Sequence, residues 1–180
     1  MERIEFEYVR HGTQCLIANF EVATGEVIEP SVGPTRTEAD FAQPLERTVQ
    51  TDPEASFIFI VDQLDTHRSE SLVRWVAARC GLDLDLGVKG KAGILKDRHS
   101  RMAFLQDESH RIRLVYTPRH ASWLNQVEIW FSVLVRRWLK RGSFERVVAL
   151  RERLLEFTRY FNQTLAKPCR WTYAGRPLHV

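Results

Sequence analysis

The chain has 180 residues, enough for one domain with a sizeable core, and its 44% hydrophobic and 11% aromatic content is that of a globular protein. No apolar run is long enough to span a bilayer and Met1-Glu-Arg opens no signal peptide, so membrane-spanning and secreted classes are set aside and a cytoplasmic location is expected. The net charge of +3 conceals an asymmetry: residues 1–70 carry 5 Lys+Arg against 14 Asp+Glu, whereas residues 71–180 carry 21 against 9, which suits a polyanionic partner. Cys15, Cys80 and Cys169 are odd in number, far apart and without Cys-x-x-Cys spacing, so neither a disulfide framework nor a zinc ribbon is expected.

Along the chain, Glu5 to Arg10 alternates acidic and aromatic residues as a strand does, and His11-Gly12 punctuates it. Cys15 to Val22 continues as a second strand, and Ala23-Thr-Gly-Glu26 turns into Val27-Ile28, giving an antiparallel hairpin or meander. Pro30 to Pro34 is expected as a loop, followed by a helix from Thr37 with Phe41, Leu45 and Val49 on one face and Pro53 near its end. Phe57-Ile-Phe-Ile-Val61 is uninterrupted apolar sequence, the pattern of a strand buried on both faces. Asp62 stands at its carboxyl end, and a helix carrying Leu72, Val73, Val76 and Ala77 runs from near Ser69 to Cys80-Gly81.

Residues 82–110 lack a single period. Gly87, Gly90 and Gly93 lie among Lys89, Lys91, Lys96, Arg98 and Arg101, with a short helix around Ser100 to Leu105. The spacing and the missing Ser/Thr rule out a phosphate-loop motif, leaving a basic flexible loop that either touches DNA phosphate or is simply solvated. Ile112 to Tyr116 is the next strand. Ser122 is expected to cap a helix whose Trp123, Val127, Trp130, Phe131, Leu134 and Trp138 form one buried stripe, followed by the basic residues Arg136, Arg137, Lys140 and Arg141. Gly142-Ser143 interrupts it, and Val147 to Leu165 gives a last amphipathic helix. The tail from Trp171 is expected to pack back on the domain.

Two carboxylates stand out. Glu128 lies about 100° around its helix from Val127, at the edge of the apolar stripe, where it can lean into a cleft. Asp62 is at a strand's carboxyl end, where sheets with helical crossovers bind ligands. Taken alone, Glu128 reads more readily as a solvated helix acid, and Asp62 equally as a turn or capping acid. Brought together they would favour a hard cation such as magnesium, with His67 and Asn125 as candidate site-shaping residues.

Asp62 with Thr66-His67, then Tyr116-Thr-Pro, then Ser122-Trp-Leu-Asn-Gln-Val-Glu128-Ile-Trp, resembles the catalytic region of mariner-like DDE transposases of the bacterial insertion-sequence branch. Phe6 to Gln14 and Lys167 to Tyr173 extend the resemblance over nearly the whole chain. It implies an RNase H-like α/β domain, a mixed sheet flanked by helices, whose three carboxylates bind two magnesium ions (manganese being an alternative) to cut DNA at transposon ends and join it elsewhere. Asp62 then matches the second acid and Glu128 the third, while Lys89, Lys91, Lys96, Arg98, Arg101, Arg119, Arg136 and Arg137 are candidate DNA contacts. The first acid would lie on a central strand upstream of Glu5. Residues 1–180 are therefore expected to be the C-terminal portion of such a domain, lacking that strand, with residues 82–110 as a basic insertion. A homodimer on DNA is expected; a non-catalytic DNA-binding or dimerising remnant is the alternative.

Overall fold

A computed structural model describes residues 11–119, 121, 124–140 and 142–170. The elements in order are β1 (Cys15–Phe20), β2 (Val27–Gly33), α1 (Glu38–Thr51), β3 (Phe57–Val61), α2 (Glu70–Arg79), α3 (Arg98–Leu105), β4 (Ile112–Tyr116), α4 (Val127–Leu134) and α5 (Val147–Thr164). The expected strand at Glu5 to Arg10 and the tail from Trp171 lie outside the described residues, as do Ser122 and Trp123.

The strands form two small sheets. β1 and β2 are an antiparallel pair turned through Gly25, which has φ +78°. β2 runs on through the stretch expected as a loop, to Gly33. Proline is tolerated there because the pairing shifts register between Ile17 and Asn19, Glu29 takes φ +44°, and Pro30 has no N–H to place in the ladder. β3 and β4 pair in parallel, from Phe57 opposite Ile112 to Val61 opposite Tyr116.

The expectation that β3 is buried on both faces is corrected. Ile58 and Ile60 are 56% and 50% exposed, while the alternate side of the strand contributes to a core with α1, α2, α3 and β4. Helices cover one side of the β3–β4 pair, and the other side opens into a groove. Leu45, Val49, Leu72, Val73, Val76, Leu105, Ile112 and Leu114 fill this first core. A second core joins Val27 of β2 to Trp130 and Leu134 of α4 and to Leu154, Phe157 and Phe161 of α5.

Helix boundaries follow local chemistry. Thr37 and Asp40 form a reciprocal capping box at the start of α1, and the Ser69 hydroxyl accepts from the Leu72 N–H at the start of α2. Gly81, at φ +65°, ends α2 as a left-handed terminator.

Residues 82–110 are not the loose loop expected from their composition. Leu95 is fully buried, and Leu86 and Ile94 pack against the first core. Between them the Val88 N–H donates to the Ala92 carbonyl at 3.0 Å and the Lys91 N–H to the Val88 carbonyl at 3.0 Å, closing a tight hairpin. Gly87 and Gly93 approach each other so closely that a Cβ on Gly87 would overlap the Ala92 carbonyl. Gly87→Ala is expected to destabilise the chain by more than the roughly 1–2 kcal/mol of the left-handed conformation alone. Gly90→Ala, whose Cβ meets open space, is expected to show only the conformational cost. Urea unfolding of the two variants reads the difference.

Candidate active site

Between the two sheets runs a groove of about 1310 Å³. β1 lines one wall and β3 the other; Phe41 and Leu45 of α1, together with Val127 and Phe131 of α4, complete it. Among the described residues, β1 pairs only with β2 and β3 only with β4, so both walls are strand edges with unpaired backbone groups.

Asp62 and Glu128 both line this groove. Asp62 follows β3, and its Oδ1 accepts from the Leu64 N–H at 3.1 Å and lies 2.8 Å from His67 Nδ1. Nδ1 is also 3.2 Å from the Asp62 carbonyl. Both neighbours are acceptors, so Nδ1 carries the proton. Burial lowers the His67 pKa, against the opposing pull of Asp62. The contact is therefore a hydrogen bond from a neutral imidazole, despite its ion-pair geometry. Phe41 lies against the imidazole with ring centroids 4.1 Å apart. The Tyr116 hydroxyl donates to the His67 carbonyl at 2.7 Å, and burial pushes that phenol's pKa well up.

Glu128 is exposed in the first turn of α4, with its N–H donating to the Asn125 carbonyl at 3.0 Å. Asn125 ties two elements together through long bonds: its Nδ2 donates to the Ile60 carbonyl at 3.4 Å and its Oδ1 accepts from the Val127 N–H at 3.4 Å. It thus connects the strand before Asp62 to the helix bearing Glu128. α4 begins at Val127, later than the expected start after Ser122. The Ala121 N–H donates to the Pro118 carbonyl at 3.2 Å and the Leu124 N–H to the Ala121 carbonyl at 3.0 Å.

The basic candidates separate. Lys89 and Lys91 project from the glycine hairpin, with Lys89 3.8 Å from Glu70, and Lys96 and Arg119 are exposed. Arg98 pairs with Asp65 at 2.9 Å. Arg101 donates to the Arg68 and Leu95 carbonyls at 2.8 and 3.2 Å and so holds the loop to the body. Arg136 Nε donates to the Ser132 carbonyl at 3.1 Å, while Arg137 borders a separate cavity.

The reading of residue types alone gave no role to Leu64 and named Tyr116 only as a strand end and within the motif that carries the resemblance. Their signal lay in the parallel register, which sets the last residue of β4 beside the last residue of β3 and so brings Tyr116 next to the Asp62 turn.

Two oxygen donors from different elements in one groove suit a hard divalent cation. Among the described residues no group of three or more His, Cys, Asp and Glu is arranged to hold a metal. No helix among them is long and apolar enough to cross a membrane. No curated protein and no solved structure matches the chain. The family described as DDE superfamily endonuclease matches residues 1–151, most of the sequence. With Asp62 and Glu128 facing one groove inside that span, the chain belongs to the DDE superfamily endonucleases.

Proposed function

We propose that this chain carries the catalytic groove of a transposase of the mariner-like insertion-sequence branch, which cuts DNA at element ends and joins it to a target. The observation that carries the reading is the placement of Asp62 and Glu128 along one groove in a DDE endonuclease. Both contacts described above fall on Asp62 Oδ1, which leaves Oδ2 for a cation. Asn125 sets α4 against β3, and Trp130 buries the helix that presents Glu128. Magnesium bound to these carboxylates supplies activation of a water or 3′-hydroxyl and stabilisation of the leaving oxygen of a phosphodiester.

Among the described residues the two strand edges that face each other across the groove have no partner. A strand between β1 and β3 would pair both free edges, cover Ile58 and Ile60, and end beside Asp62 if it ran parallel to β3, bringing the third carboxylate. The test is magnesium-dependent nicking of supercoiled plasmid carrying the element's ends. This chain alone is expected to leave the plasmid intact, and the chain joined to such an Asp-ending strand is expected to nick it in an Asp62-dependent way. Nicking by the folded, monomeric chain alone that disappears in Asp62→Ala would show that no further carboxylate is needed.

A DNA-binding or dimerising remnant without catalysis is the second reading. It is favoured by the basic residues 71–180 beside a site with two acids. It forecasts salt-sensitive DNA affinity, with no metal-dependent product even when the strand is supplied.

A further inference from the structure

α4 does not end as an α-helix. Val135–Leu139 is a π-helical turn, closed by the Lys140 N–H donating to the Val135 carbonyl at 2.8 Å. Such turns occur frequently at functional sites, where the widened backbone re-aims side chains. This one carries Arg137 and Trp138 to the rim of a second cavity of about 540 Å³, which shares no lining residue with the carboxylate groove.

The cavity's chemistry is one-sided. Arg137 and Arg153 line it with Ser143, Phe144 and Ala149, and no carboxylate does among the described residues. Arg153 is held in place: its guanidinium lies 4.1 Å over the Trp138 ring, which stacks on Tyr160 at 5.9 Å and leans on Phe157 at 5.4 Å. Its ion pair with Glu156, at 3.1 Å, is about half exposed and therefore weak. Arg137 has no ion-pair or hydrogen-bond partner among the described residues and is exposed. Ala149 lies in the first turn of the 18-residue α5, whose N-cap, Arg146, gives no side-chain bond and whose first turn holds no acid. The amides of that turn add partial positive charge to the same cavity.

We propose that this cavity binds a backbone phosphate of DNA outside the carboxylate groove. Arg137 and Arg153 supply the charge, Ser143 a hydroxyl donor, and Trp138 the rigid support that fixes the arginine. The inference rests on the DNA-cleaving reading only for the identity of the polyanion.

The test is anisotropy of a labelled DNA duplex against the full chain in EDTA, where metal-dependent cleavage is off, over a range of salt. Arg137→Gln is expected to weaken binding about 3- to 10-fold and to reduce the slope of log K against log salt by about 0.9, the contribution of one phosphate contact. Arg137→Lys is expected to keep most of the slope. Arg153→Gln should act in the same direction, and if it fails to fold, the exposed Arg137 still decides. An unchanged slope in Arg137→Gln, or a wild-type chain that binds no duplex, overturns the proposal. Inorganic phosphate raising the melting temperature through Arg137 while the duplex slope ignores it would assign a free-anion site and also overturn the DNA assignment. An Arg137-dependent slope with no metal-dependent nicking even when the Asp-ending strand is supplied would count against the transposase reading alone and leave this site standing.

Discussion

Asp62→Asn is expected to weaken Mn2+ binding by at least the roughly 10- to 100-fold that loss of an outer-shell partner costs a metal site, while the cation-free protein keeps its fold. The amide retains the oxygen that accepts from the Leu64 N–H and the His67 imidazole, so the turn after β3 survives. What disappears is the negative charge, and a hard cation depends on it. Asp62 is partly exposed, so the change in stability should stay within about 0.5 kcal/mol, about 1–2 °C in melting temperature for a chain of this size. A Mn2+ titration followed by electron paramagnetic resonance reads the first quantity and calorimetry the second. Equal loss of metal binding and of the folded state would make Asp62 a structural acid.

Trp130→Ala is expected to cost about 3–5 kcal/mol, a large part of the roughly 5–15 kcal/mol that holds a domain folded. Trp130 is 1% exposed, and its ring centroid lies 5.1 Å from that of Phe131, 6.0 Å from Phe157 and 6.2 Å from Phe161. These contacts dock α4 on α5, so the truncation opens a cavity directly below the helix that presents Glu128. The indole Nε1 is buried without a hydrogen-bond partner among the described residues. Trp130→Phe removes that unsatisfied donor and should cost far less than the alanine. A loss below about 1 kcal/mol for Trp130→Ala would show that α4 is not anchored through this ring.

Much of this architecture was legible in local signals, and the exceptions share a cause. Thr37, Ser69 and Gly81 mark helix ends because caps and terminators act within a few residues. The apolar stripe of α4 announced Trp130 and Leu134 for the same reason. β3 misled because an apolar run shows what a strand could bury and not what is present to cover it; Ile58 and Ile60 face the groove. Residues 82–110 misled because their glycines and lysines resemble a flexible tract, whereas Leu86 and Leu95 pin the segment to a core assembled from distant elements. Arg101 bonds carbonyls 33 and 6 residues away, a pairing that no local window contains. In the site, strand-end position and helical phase pointed to Asp62 and Glu128, while the Asn125 bond to Ile60 required tertiary structure. The π turn that brings Arg137 and Trp138 to the second cavity left no periodic trace either.

The central claim is that Asp62 and Glu128 share one divalent-cation site. Iron-directed backbone cleavage tests it most directly: Fe2+ replaces Mg2+, and peroxide with ascorbate cuts the chain beside the bound ion. Cuts are expected next to Asp62 and next to Glu128, both lost together in Asp62→Asn and both suppressed by excess Mg2+. Cuts at only one of the two positions, or cuts that persist unchanged in Asp62→Asn, would contradict a shared site.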